Sequence, residues 1–199
     1  MARTNISVDQ AVFDEFSSQA QRQNKTLFAF ANESLSTVAK VAAEGGNPLD
    51  LYKMWRAVTL LKQIDVITLP SDFIDELIVK DYARDKAGIL KMFRDLGSQL
   101  VGVLKIAAED LDQLSALVTN FAGLLPVKQF TIGAKDKNKV EIDVVGAGRR
   151  IESTECAVEF LTSVLNGYGY SVIKKEVNVG TIRVWATRRD YRSFSFVFI

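Results

Sequence analysis

The change of hydrophobic period along this chain constrains its fold more than any other feature. Between residues 48 and 125 apolar side chains recur at helical spacing. Leu51, Met54, Trp55, Val58 and Leu61 form one stripe. Ile89, Leu90, Phe93, Leu96, Leu100, Val103 and Leu104 form a longer one, and Leu111, Leu114, Leu117, Val118 and Phe121 another, closing near Gly123 and Pro126. Pro70-Ser71 opens a further helix, with Ser71 or Asp72 near its cap. From residue 127 the period falls to two. Val140, Ile142 and Val144 alternate with Glu141 and Asp143, with Phe130 to Ile132 as hairpin partner across Gly133 to Asn138. A helix over about Ser153 to Leu165 interrupts the strands and stops at Asn166-Gly167. Tyr170 to Val177 and Thr181 to Arg188 form a second hairpin around Asn178-Val179-Gly180, and Ser193 to Ile199 is a candidate final strand. The fold class is therefore α+β, ending in a ββαββ antiparallel-sheet domain.

The first 47 residues form a separate module, set off by Gly45-Gly46-Asn47-Pro48, where Pro48 opens the next helix. The domains expected are thus 1–47 and 48–199. Thr4, Ile6 and Val8 share one face of a short strand, and Arg3, Asn5 and Ser7 share the other. Asp9 caps a helix that carries Val12, Phe13, Phe16 and Ala20, and Asn24 stops it. Thr26 caps a second helix with Leu27, Phe30, Ala31, Leu35, Val38 and Ala42 on one stripe. A lone apolar-faced strand leaves its ladder unmade, and pairing with the same strand of a second chain would complete it.

This order of strand, helix, turn and helix, from Arg3 through Val38, resembles the ribbon-helix-helix repressors. The resemblance implies a dimer whose antiparallel ribbon enters the major groove of double-stranded DNA. It assigns Arg3, Asn5 and Ser7 to base contact, and Lys25 and Thr26, with the helix start behind them, to phosphate. The chemistry agrees: Arg bonds guanine in a bidentate way, Asn does the same with adenine, and a Ser hydroxyl serves either. A helix N-terminus presents free N–H groups and the positive end of its dipole to phosphate. Asn24 stands where the family often has Gly, and the module is not basic, with 4 basic against 5 acidic side chains.

Residues 70–190 are similar to the vinyl-reductase-like domains in the order helices, hairpin, helix, hairpin. Leu96-Gly97-Ser98-Gln99-Leu100 and Cys156 with Phe160 leading into Leu165-Asn166-Gly167 carry the likeness. It implies a domain that binds a small hydrophobic ligand or mediates assembly. The further cysteines that such domains often carry near their end are missing, so no metal is expected.

Composition narrows the chemistry. The chain has no histidine, which excludes imidazole acid/base catalysis and His metal ligands. Its one cysteine, Cys156, lies on an apolar stripe without an activating base, so a buried, inert thiol is expected. The glycines of Val145-Gly146-Ala147-Gly148 lack the third member of a dinucleotide fingerprint, Ile151 standing in its place. A plain strand-to-helix turn follows, with Arg149 and Arg150 on its surface. Glu109, Asp110 and Asp112, and likewise Asp72, Asp75 and Glu76, are expected at helix starts. Lys174, Lys175, Arg183, Arg188, Arg189 and Arg192 make the last third basic, as flanking phosphate contacts or as edge-strand charges that block aggregation.

The expectation is a homodimeric, or higher-oligomeric, sequence-specific transcriptional regulator in the cytoplasm. It has a C-terminal ligand-sensing or assembly domain and no catalytic residue, cofactor, metal or membrane segment. The alternatives are an antitoxin-like interaction module whose C-terminal domain captures a protein, and an enzyme built on residues 48–199.

Overall fold

The computed structural model describes residues 5–63, 67, 69–121, 127–136 and 138–189. Their mixture of helices with one antiparallel sheet makes the chain α+β. The chain divides into compact units of residues 1–55 and 56–199. The expected final strand Ser193 to Ile199 lies outside the described residues.

In the first unit, α1 (Gln10–Arg22) starts where expected, the Asp9 carboxylate accepting the Ala11 N–H at 2.9 Å. Its end explains the choice of Asn24, which takes a left-handed φ of 54°. That backbone lets Asn24 N–H reach Gln21 C=O and Lys25 N–H reach Ala20 C=O, both at 2.9 Å, closing the helix as glycine usually does. The Thr26 hydroxyl caps α2 (Leu27–Ala43) by accepting the Ala29 N–H at 3.2 Å. The helices meet through the Phe16 and Phe30 rings, whose centroids lie 4.5 Å apart. Asn47 caps α3 (Pro48–Gln63), whose residues 56–63 belong to the second unit, accepting the Asp50 N–H at 3.0 Å.

In the second unit, α4 (Ser71–Arg84), α5 (Lys86–Ala107) and α6 (Leu111–Phe121) precede β1 (Gln129–Asp136), β2 (Lys139–Val145), α7 (Ile151–Gly167), β3 (Tyr170–Asn178) and β4 (Thr181–Arg188). The expected loop Gly133 to Asn138 is shorter than the sequence implies. β1 continues to Asp136, with a register shift between Ala134 and Asp136, and pairs tightly with β2. Strand order is β1-β2-β4-β3, antiparallel throughout, so the two hairpins join through β2 and β4. Ile142, Val144, Ile182, Val184 and Ala186 form the covered face, against Val158, Leu161, Val164 and Leu165 of α7. Helix α5 lies on α7 at very short range: a Cβ on Gly97 would stand 2.6 Å from the Phe160 carbonyl oxygen. The Tyr168 hydroxyl donates to the Ala108 carbonyl at 2.7 Å and ties the end of α7 to the turn after α5.

Asp72 stands in the first turn of α4 as expected, but the carboxylates there make their bonds elsewhere. That helix has no side-chain cap. Asp75, almost fully buried, accepts the Arg149 N–H at 3.1 Å, and Asp72 pairs with the Arg149 guanidinium. A buried carboxylate needs a donor, and the backbone before α7 supplies one. By contrast Asp110 does cap α6, accepting the Gln113 N–H at 2.8 Å.

The long apolar stripe of α5 divides three ways. Ile89 and Phe93 pack with Ile78 and Cys156, and Leu104 packs against the main core. Leu96 is left half exposed beside Met92, in an open groove of about 430 Å³ lined also by Gly88, Lys91, Asp95 and Gln99. Phe121 is buried, and Phe160 packs against the main core.

Candidate nucleic-acid interface

The segment before α1 departs from the sequence expectation. Residues Asn5 to Asp9 belong to no strand, and Ile6 and Val8 are 62% and 56% exposed. The expected buried face is not formed, because a ladder needs a neighbour and no described strand of this chain lies alongside. Asn5 and Ser7 are exposed. Arg3, the third residue assigned to base contact, lies outside the described residues.

Exposure of apolar groups continues into the hairpin. Val12, Phe13, Leu27, Phe28 and Leu35 are all exposed; Ala20 is the buried residue of α1, and α2 has none. This exposure follows directly in sequence on that of Ile6 and Val8.

Lys25 and Thr26 stand together at the entry to α2. Thr26 is occupied as the cap, while the helix start retains its positive dipole end. Lys25 is held: its Nζ lies 2.5 Å from Glu33 Oε2 and 5.9 Å from the Phe30 ring centroid. Glu33 was not singled out by sequence. It lies eight residues from Lys25, a spacing that matches no helical neighbour rule because Lys25 precedes the helix.

Three of the basic residues singled out in the last third, Lys174, Lys175 and Arg183, pair with acids. Lys175 and Arg94 each lie 2.8 Å from Glu159, on opposite oxygens. Burial pushes the Glu159 carboxyl up, but the hydrogen bonds from Lys175 and Arg94 hold it below the usual carboxylate range. Arg183 reaches Asp143 at 2.5 Å and Glu141 at 3.4 Å, and the Asp143 hydrogen bond raises its guanidinium further. Lys174 lies 2.6 Å from Glu176 and 4.4 Å from the Trp185 ring centroid. Arg189 donates to Ser171 and Asn166 at 2.7 Å. These bonds cross-link β2, β4, β3 and α7. Arg192 lies outside the described residues.

The glycine turn before α7 is accounted for by packing. The Gly146 and Ala147 N–H groups donate to the Gly180 carbonyl at 2.8 and 3.1 Å. Gly148 has a φ of 100°, and a Cβ there would meet the Ser153 Cβ at 2.7 Å. The turn is clamped between α7 and the β3–β4 hairpin.

Cys156 is fully buried, and burial pushes its thiol from 9.0 up to about 11. At pH 8 the native protein should hold roughly 100-fold less thiolate than an ordinary thiol of that starting pKa. Labelling by an aromatic disulfide reagent is expected to be slow in the native state, to quicken as pH rises toward 11, and to become fast in denaturant. Fast native labelling at pH 8 would contradict this burial. Among the described residues, no group of three Cys, Asp or Glu could hold a metal ion, and no helix is long and apolar enough to cross a membrane.

The chain matches no protein-family model and no curated protein. Among solved structures it is similar to a Cs H-NOX mutant carrying 4-cyano-L-phenylalanine at site 5. That likeness has a TM-score of 0.42 and 11% identity over 64% of this chain and 82% of the other. It is also similar to a doubly substituted Tt H-NOX, with a TM-score of 0.35 and 15% identity over 67% of this chain and 87% of the other. Neither is a ribbon-helix-helix protein or a vinyl-reductase-like domain, and likeness at these TM-scores carries no argument for this chain.

Proposed function

We propose that this protein is a homodimeric, sequence-specific DNA-binding transcriptional regulator of the cytoplasm, with a ribbon-helix-helix module in its first 47 residues. One observation carries the reading: an unpaired segment with exposed Ile6 and Val8 runs directly into a helical hairpin whose apolar side chains are also exposed. A second copy relieves both conditions at once. The two segments pair as an antiparallel ribbon, and the hairpins bury their apolar faces against each other. Asn5 and Ser7, joined by Arg3, then lie on the outer face of the ribbon, where base edges are read. Lys25 and the start of α2 flank it toward phosphate. The second unit, with its own sheet and core, serves as the sensing or assembly domain, and no catalytic role is assigned to it.

The test is selection from random duplexes by the full-length protein, combined with sedimentation. The expected result is one enriched, near-palindromic sequence bound by a dimer, since a two-fold ribbon reads two related half-sites. A monomer at micromolar concentration, or duplexes recovered without any shared sequence, would sink the proposal.

A further inference from the structure

We infer that Glu33 competes with DNA phosphate for Lys25, and so sets how much affinity Lys25 contributes on any sequence. The inference rests on the DNA-binding function proposed for the first 47 residues. Lys25 sits immediately before the Thr26 cap, where a phosphate would approach the first N–H groups of α2. Its ammonium is drawn elsewhere. It passes the Phe30 ring, 5.9 Å from the centroid, and ends 2.5 Å from the Glu33 carboxylate. The Glu33 backbone stands six residues beyond Leu27, roughly 9 Å along the axis at 1.5 Å per residue, and its side chain leans back toward the helix start to meet Lys25.

Both partners reach solvent, Lys25 with 34% and Glu33 with 59% of its side chain exposed. An exposed, screened pair opens at little cost, so a duplex with its array of phosphates can take Lys25 from a single solvated carboxylate. The exchange costs the Lys25–Glu33 attraction, and that cost falls on every base sequence alike. The arrangement therefore keeps sequence-independent binding weak and leaves discrimination to the ribbon.

The experiment measures binding of full-length protein to a duplex of arbitrary sequence across a salt series. Wild type is compared with Glu33→Gln, Lys25→Gln and the double variant. Glu33→Gln should bind about fivefold tighter per bound subunit at low salt, and the gain should shrink as salt rises. In the Lys25→Gln background the same change should give less than half of that gain, because the two side chains act as one unit. Equal tightening in both backgrounds would mean general charge removal and would overturn the inference. So would an unchanged Glu33→Gln affinity when Lys25→Gln weakens binding, while the DNA-binding function would stand. Wild type that retains no duplex even at low salt would overturn the DNA-binding function, and this inference with it.

Discussion

Replacing Leu165 by Ala should lower the unfolding free energy of the second unit by about 2–5 kcal/mol, the range for deleting most of a buried leucine side chain. Leu165 has no solvent exposure and belongs to the cluster that joins α7 to Ile142, Val144, Val184 and Ala186 of the sheet. The layer has little room to collapse around the void. Gly97 holds α5 against the Phe160 backbone of α7 on one side, and the paired strands fix the other. Urea unfolding followed by Trp185 fluorescence measures the effect, with Leu96→Ala as control. Leu96 is 43% exposed and should cost no more than about 0.5 kcal/mol if it lies outside the core. A Leu165→Ala cost near that of the control would contradict the assignment of this layer as the core.

Replacing Asn5 by Ala should weaken binding to the selected duplex by about 1–3 kcal/mol for each bidentate bond to adenine that it removes. A dimer carries two copies of Asn5, so the total is expected at about 2–6 kcal/mol, roughly 30-fold to 10⁴-fold in Kd. Asn5 is exposed and lies ahead of the Asp9 cap, so its removal touches no packed group and stability should not change. Binding to arbitrary duplexes should also be unaffected, because base contacts specify while phosphate contacts position. The comparison of selected with arbitrary DNA separates a defect in readout from a general fall in affinity. Unchanged sequence preference in Asn5→Ala would show that the outward face of the segment has been assigned wrongly.

What was legible in the sequence was local. Asp9, Asn24 and Thr26 act through backbone groups within four residues of themselves, so their types and spacing were enough to place α1, its left-handed stop and α2. The β3–β4 hairpin was legible for the same reason: two alternating runs flank Asn178-Val179-Gly180, and Gly180 takes a φ of 72°. The boundary of β1 was misread, since Gly133 and the charged residues after it read as loop, whereas pairing with β2 carries the strand through Asp136.

The tertiary structure alone decided whatever depends on groups distant along the chain. Alternation in β2 and β4 marks two strands but carries no address, and only packing on α7 makes them neighbours. Asp72 and Asp75 read as helix-start acids, yet their partner is Arg149, more than seventy residues away. Gly97 stands in the sequence as part of a family resemblance, and only the approach of α7 shows that a side chain there has no room. The resemblance gives Lys25 to phosphate, and no periodic rule links it to Glu33, with which it pairs in the fold. Propensity and capping act over a few residues, so sequence determined the elements. Burial and charge pairing act across space, so the folded chain decided which of them meet.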